Sequence, residues 1–302
     1  MIRLGYPTQN LTLPASTNRT LRLANLGDAE KVRALVFENL LGLETILRWN
    51  AEHGVNLFRI GQSLIPFASH AAFPYDWEAE HGDDLRGIGE LARSLGIRLS
   101  MHPGQFIQPG SLRPQVSERS LAELRYVARV SHLIGSSDSV IVLHMGGAYE
   151  DRAASTARFV ETVRSETGVL RYLALENDER RWTVADIVQT ACSLDVPAIT
   201  DAFHHGLNPG GLALREALDH SLPTGKCVTR DRRFTSPAKT LRSKPARTPT
   251  AWILKTGTRC SPPSTEGMRT SWSRRRVKNR HSYLWVSGSG SILGPRAVEQ
   301  NS

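Results

Sequence analysis

Four apolar runs end in side chains that bind cations or carry protons. Arg-Leu-Ser-Met leads into His102, Val-Ile-Val-Leu into His144, Leu-Ala-Leu into Glu176 and Ala-Ile-Thr into Asp201. His204 and His205 follow Asp201 closely, and His70 closes the stretch Leu-Ile-Pro-Phe-Ala-Ser-His. Imidazole nitrogens mixed with carboxylate oxygens suit zinc, manganese or iron. A site with several of each can take two or three ions, which clamp the attacking and leaving oxygens of a phosphodiester and acidify bound water. A lone histidine is more often a hydrogen-bonded structural group. Four successive runs ending alike argue instead for one shared cavity. Asn177 and Asp178 are candidates to orient the ligands, or are ordinary loop polars. His53, His81, His132 and His220 fall in expected helices or loops and read as structural.

The elements that must position these groups alternate regularly. Strand patterns cover Ile2–Pro7, 56–60, 98–102, 139–144, 172–176 and 198–201. Between them, helical periodicity covers 30–52, 84–95, 117–134, 153–166, 183–193 and 211–218; the first places Val32, Leu35, Val36, Leu40, Leu43 and Ile46 on one face. This alternation predicts a parallel sheet flanked by helices. In a barrel of that kind every strand ends at one mouth, where catalytic groups sit. The expected fold is a TIM-type (β/α)8 barrel, incomplete at about six βα units. A doubly wound open sheet is the alternative, but no glycine-rich nucleotide loop follows any strand.

The composition, 302 residues with 40% hydrophobic and 22% charged, excludes disordered, collagenous and membrane classes. Apolar runs fall far short of the roughly 20 residues that span a bilayer. The first residues show no charged-then-apolar leader, so the expected compartment is the cytoplasm. Cys192, Cys227 and Cys260 are too scattered for a disulfide framework or zinc ribbon. The net charge of +9 is unevenly placed. Residues 224–302 hold 17 Lys and Arg against 3 Asp and Glu, whereas residues 1–223 hold 21 against 26. The basic segment, rich in Ser, Thr, Pro and Arg, lacks sustained periodicity and is expected to be irregular. Such segments commonly bind nucleic acid. The acidic remainder would need metal ions to neutralise its mouth before it met DNA.

Several motifs, in order, resemble those of the UV damage endonucleases: Leu-Gly-Tyr-Pro-Thr-Gln-Asn, Leu-Ile-Pro-Phe-Ala-Ser-His, Met-His-Pro-Gly-Gln-Phe, Leu-His-Met-Gly-Gly-Ala-Tyr, Leu-Glu-Asn-Asp and Asp-Ala-Phe-His-His. The resemblance covers residues 1 to about 224. It implies a TIM barrel related to the apurinic endonucleases, a cluster of divalent metal ions, commonly Mn2+, and nicking of DNA 5′ of cyclobutane dimers and 6-4 products. It carries His70, His102, His144, Glu176, Asp201 and His204 over as metal ligands, with Glu176, His102, His144 and Asp201 as catalytic groups. Gln105 and Phe106 carry over as the pair that wedges into the duplex at the lesion, and Tyr6 and Asn10 as DNA contacts at the barrel mouth. The implied partner is double-stranded DNA bearing UV lesions, bound by a monomer. An amide and an aromatic on a glycine-containing loop suit the wedge role, since apolar wedges kink duplexes and damaged steps unstack more cheaply. Phe106 could otherwise be a packed loop anchor. Pro7-Thr8-Gln9 and Gly61-Gln62 differ from the commonest family wording, which leaves lesion preference open. Two other functions fit in part: a metal-dependent sugar isomerase or epimerase on the same barrel, and a noncatalytic DNA-binding remnant.

The family pattern continues with Leu-Pro-Thr-Trp, Gly-x-Pro-Lys-x-His-Phe-Ser, His-Ala-Asp and Val-Met-Val-Glu-Ala, which bring a lysine, two histidines and a glutamate to the mouth. None of these follows Leu222-Pro223-Thr224, and His281 is the only histidine of the segment. Reading the codons from Thr224 two bases later can restore all four segments, in one frame and in family order. Residues 1–223 are therefore expected to form an incomplete barrel domain, and 224–302 to be an out-of-frame translation. Weak or absent nuclease activity is the expectation for such a chain.

Overall fold

A computed structural model describes residues 2–135, 138–149, 151–227, 250–252 and 283–287. Strands and helices alternate as β1 (Ile2–Pro7), α1 (Ala29–Glu52), β2 (Leu57–Ile60), α2 (Trp77–Ser94), β3 (Arg98–Met101), α3 (Pro114–Ile134), β4 (Val140–His144), α4 (Arg152–Arg164), α5 (Thr167–Leu170), β5 (Leu173–Glu176), α6 (Val184–Leu194), β6 (Ala198–Ile199), α7 (Ala202–Leu207) and α8 (Leu214–Ser221). Strands β1 to β6 pair in parallel in sequence order. They form six staves of a TIM-type barrel, as the alternating pattern predicts.

Local chemistry sets the helix limits. Asp28 caps α1 by accepting the Lys31 N–H, Pro114 opens α3, and Thr183 and Asp186 form a reciprocal capping box on α6. Helix α2 begins at Trp77, seven residues before the expected start, because Asp76 accepts the N–H groups of Glu78 and Ala79. Its polar first turns hid it from hydrophobic periodicity. Gly89 lets α2 touch the end of α3: a Cβ there would lie 1.8 Å from the Ile134 carbonyl oxygen.

Alternation along the strands sorts the side chains into two layers. One row, with Phe58, Ile60, Leu99, Ile141, Leu143, Leu173 and Leu175, packs under the helices against Val36, Leu43, Ile46, Leu85, Leu124 and Val127. The other row places Leu57, Val140, Val142, Ala174 and Ile199 in a separate buried cluster inside the curl of the sheet.

Within the basic segment, expected to be irregular, the described residues include two short strands, β7 (Thr250–Trp252) and β8 (Tyr283–Ser287). Tyr-Leu-Trp-Val is rich in residues that favour strands. Strand β8 pairs with β1, and β7 with β8, both antiparallel. A parallel neighbour for β1 would need a crossover helix, for which 228–282 offers no amphipathic pattern. Residues Leu222–Cys227 form a 3-10 turn after α8, and the rest of the segment, including His281, lies outside the described residues. Among the described residues, no helix is long and apolar enough to cross a membrane.

Candidate metal centre

The alternation that turns Val140 and Val142 inward also turns His144 inward at the end of β4. Across the β4–β5 pairing His144 stands opposite Glu176, and His102 follows the last residue of β3. Three successive strands thus deliver His102, His144 and Glu176 to one point. Asp201 lies just beyond β6, where it caps α7 by accepting the N–H groups of Phe203 and His204. This short helix, unmarked by hydrophobic periodicity, turns His204 back toward its own cap.

Two groups of cation-binding atoms result, His102–His144–Glu176 and Glu176–Asp201–His204, each with its ligand atoms within 4.8 Å of one another. Glu176 belongs to both. His102 Nε2 lies 3.0 Å and His144 Nε2 3.4 Å from the same Glu176 oxygen. The remaining nitrogens face backbone carbonyls: His102 Nδ1 is 2.9 Å from the Pro103 oxygen and His144 Nδ1 3.3 Å from the Glu176 oxygen. A carbonyl only accepts, so Nδ1 donates in both rings, and Nε2, turned to the Glu176 carboxylate, is the atom a cation would take in place of a proton. His204 Nε2 lies 3.7 Å from Asp201, and its buried Nδ1 makes no hydrogen bond, with Glu179 3.6 Å away.

The electrostatics of the two carboxylates suit a bound cation. Burial pushes the Glu176 carboxyl up, but the His102 hydrogen bond and the charges of His102, His144 and Arg59 win and hold it well below the usual carboxylate range. Burial and the neighbouring Glu176 charge raise Asp201, against the opposing pull of His204 and the capping N–H groups. Two carboxylates with opposed shifts in one buried site, a donorless His204 nitrogen and two presented Nε2 atoms fit divalent cations. Glu176, common to both groups, would be available to an ion in either.

The second layer is built as firmly. Asn177, fully buried, donates to the Asp201 carbonyl at 3.2 Å and accepts the Asp201 N–H at 2.7 Å. Trp182 donates to the Gly146 carbonyl, tying the loop behind Glu176 to the loop behind His144. The Asp178 carboxylate caps its own turn, accepting the N–H groups of Arg180 and Arg181, while its carbonyl accepts from the Asn208 amide at 3.1 Å. His205 points away, to the Leu212 carbonyl.

His70 joins neither group; it is exposed, and its Nδ1 accepts the Ala72 N–H. The residue types alone could not place it, because it lies in a loop rather than on a strand. That loop holds Phe67 at φ +63°, and the loops after β1 and β4 hold Thr8 at +51° and Tyr149 at +49°; such strained non-glycine residues gather at functional rims. Tyr6 donates to Asn50 at 2.6 Å and accepts from Asn10 at 2.8 Å, and Asn10 is buried. As placed, both are engaged with each other beside the mouth. Gln105 and Phe106 project from the loop that follows His102, with Phe106 69% exposed.

The UV-endonuclease UvdE family matches residues 2–243. This chain belongs to that family. It is 32% identical to the UV-damage endonuclease of Schizosaccharomyces pombe over 70% of this chain and 37% of that protein. It is 31% identical to the UV DNA damage endonuclease of Clostridium perfringens over 68% of this chain and 50% of that one. The chain therefore spans half or less of these two relatives. The crystal structure of SacUVDE superposes with a TM-score of 0.71 at 33% identity, covering 74% of this chain and 76% of that one. An L-ribulose 3-epimerase, at 15% identity and a TM-score of 0.50, shares the fold alone.

Every candidate ligand lies inside the UvdE match, which ends within the basic segment. Two contributors escaped the sequence reading. Glu179, beside His204, is signalled only by the acidic run Glu-Asn-Asp-Glu. Arg59, buried on β2, acts on Glu176 through its charge and carries no signal beyond an arginine inside an apolar strand.

Proposed function

We propose that this UvdE-family protein is a metal-dependent DNA repair endonuclease that, as a cytoplasmic monomer, nicks duplex DNA 5′ of cyclobutane dimers and 6-4 products. One observation carries the reading: Glu176 stands in both ligand groups, His102–His144–Glu176 and Glu176–Asp201–His204. These five residues would hold two divalent ions, best Mn2+, and the family resemblance adds His70 as a further ligand. Bound ions supply Lewis-acid activation of water and charge neutralisation at a phosphodiester. The chain itself holds the imidazole tautomers through Pro103 and Glu176 carbonyls, fixes Asp201 through Asn177, and keeps Glu176 ionised. Its aromatic rim stays exposed, Phe106 and Tyr149 on the loops after β3 and β4 and Phe203 in the first turn of α7 after β6, where bases leaving a duplex can stack. Gln105 and Phe106 act as the wedge, and Tyr6 and Asn10 shape the strand-facing edge of the mouth.

The test is nicking of irradiated and of intact duplex with and without Mn2+, in the chain and in Glu176→Gln. Mn2+-dependent cutting of irradiated duplex alone, lost in the variant, supports the reading. Equal cutting of both duplexes rejects lesion selection. Binding of damaged duplex without incision at saturating Mn2+ identifies a noncatalytic remnant. The last outcome would accompany an out-of-frame segment after Thr224, which removes the lysine, two histidines and glutamate that the family pattern places there. Resequencing the gene around that codon reads the frame directly.

A further inference from the structure

A loop that presents an exposed phenylalanine cannot be held by that side chain's packing. The 104–106 loop is held elsewhere. Ile107 is buried and donates its N–H to the Gly104 carbonyl at 2.9 Å. The Gly104 N–H donates to Gln62 Oε1 at 2.6 Å. Gln62, on a short 3-10 turn after β2, donates from Nε2 to Glu123 Oε1 at 2.8 Å. The other oxygen of Glu123, which belongs to α3, accepts from the Ser69 hydroxyl at 2.5 Å, one residue before His70. One turn along α3, Tyr126 donates to the Gln62 carbonyl and accepts the Ile65 N–H.

The chemistry of this chain allows one arrangement. The carboxylate only accepts and the peptide N–H only donates, so a flipped Gln62 amide would set like against like at both ends. The bond to Glu123 is charge-assisted and correspondingly strong. Gly104 in turn dictates the aromatic ring: a Cβ on Gly104 would lie 2.5 Å from Phe106 Cε1, so the ring rests directly on that glycine.

We propose that Gln62 and Glu123 are positioning residues that fix the pose of the 104–106 loop and thereby set how sharply the protein separates damaged from intact duplex. The second half rests on the wedge role proposed for Gln105 and Phe106. The same carboxylate, through Ser69, ties the His70 loop to the same helix, so one side chain anchors both loops.

The test uses the full 302-residue chain with Gln62→Ala, Glu123→Ala, Glu123→Gln and Phe106→Ala. Hydrogen exchange over residues 103–107 reads the loop, and fluorescence anisotropy on irradiated and intact duplex at fixed salt reads discrimination. Gln62→Ala and Glu123→Ala should speed exchange at Gly104 and reduce the ratio of the two affinities roughly tenfold, as loss of a charge-assisted bond implies. Glu123→Gln should restore most of both, since its amide oxygen still accepts from Gln62 although without the charge. Exchange unchanged in Gln62→Ala overturns the proposal. So does faster exchange with unaltered discrimination when Phe106→Ala abolishes it. If Phe106→Ala itself leaves discrimination intact, the wedge reading fails, and exchange alone decides the positioning role. Gln62 is half-buried on a turn, so its variant carries the test if Glu123→Ala does not fold.

Discussion

Glu176 grips both nitrogens of His144: its backbone carbonyl lies 3.3 Å from Nδ1 and its side chain 3.4 Å from Nε2. The parallel register that sets these residues opposite each other makes the arrangement nearly automatic. The carbonyl fixes the tautomer, and the carboxylate marks where a cation would compete for the other nitrogen.

Glu176→Gln should therefore remove divalent-cation binding while sparing the fold. Even partners that merely orient such ligands are worth about 10–100-fold in affinity, so loss of the shared ligand should cost at least that. Mn2+ at 100 times its dissociation constant should stabilise the parent protein by about 2.7 kcal/mol. The expected result is a Mn2+-dependent rise in Tm for the parent, reversed by chelator and missing from the variant. An equal rise in both would remove Glu176 from the centre.

Asn177→Ala tests the scaffold behind Asp201. The amide satisfies both the N–H and the carbonyl of Asp201 in a fully buried position. Each backbone group left unpaired costs about 1–3 kcal/mol. Urea unfolding should show a loss of a few kcal/mol, and Mn2+ titration a weaker site, because the α7 cap moves with Asp201. A variant of unchanged stability would show that water or a neighbour replaces the amide.

The strands and the inward residues at their ends were legible because a parallel barrel writes its period directly into the chain. His102, His144 and Glu176 end apolar runs, and the register then needs no further information. What could not be read depends on contacts between distant residues. Gln62 and Glu123 meet across the fold, as do Tyr6 and Asn50. Helix α7 is too short for periodicity, and its one signal, Asp201 as a cap, reads equally as a strand end. The sequence also could not show that His70, though in the right motif, stands outside both ligand groups.

Tyr6 predicts an alkaline transition. Burial pushes its phenol up to about 12, against the hydrogen bonds of Asn10 and Asn50. The unfolded chain ionises near the ordinary value of 10, so the folded state holds its proton more tightly. This contribution is intact below pH 10 and is lost as pH climbs from 10 towards 12. Tyr6→Phe should flatten the fall of stability over that window, while losing about 1–2 kcal/mol at pH 7 from the vacated Asn10 and Asn50 contacts. Denaturant unfolding at pH 7, 10 and 11.5 checks both. A parallel decline of parent and variant would contradict the assignment.

Gly89→Ala tests how α2 meets α3. The added methyl would sit 1.8 Å from the Ile134 carbonyl oxygen, backbone that cannot yield as a side chain does. The helix-propensity gain of about 1 kcal/mol for alanine over glycine should be overwhelmed by overpacking of about 3 kcal/mol or more. A net loss in Tm, with DNA and Mn2+ binding kept at low temperature, is expected. A stabilised variant would mean that the helices separate freely.

Strand β6 pairs with β5 on one side, and the chain that follows shields its other face. The Ala198 N–H donates to the Thr224 hydroxyl at 2.8 Å, and Thr224 donates to the Ser221 carbonyl at 2.6 Å. Thr200 donates to the Ser221 hydroxyl at 2.8 Å. Side chains at the end of α8 and just beyond it thus occupy positions where a barrel would pair a further strand. Unpaired edges invite association, so Thr224 is expected to keep the sheet single. Thr224→Ala should cost about 1–3 kcal/mol for the unpaired N–H, speed exchange at Ala198 and raise light scattering on warming. Thr224→Ser keeps the hydroxyl and should behave as the parent. Equal exchange at Ala198 in all three proteins would show that the edge is closed by something other than this threonine.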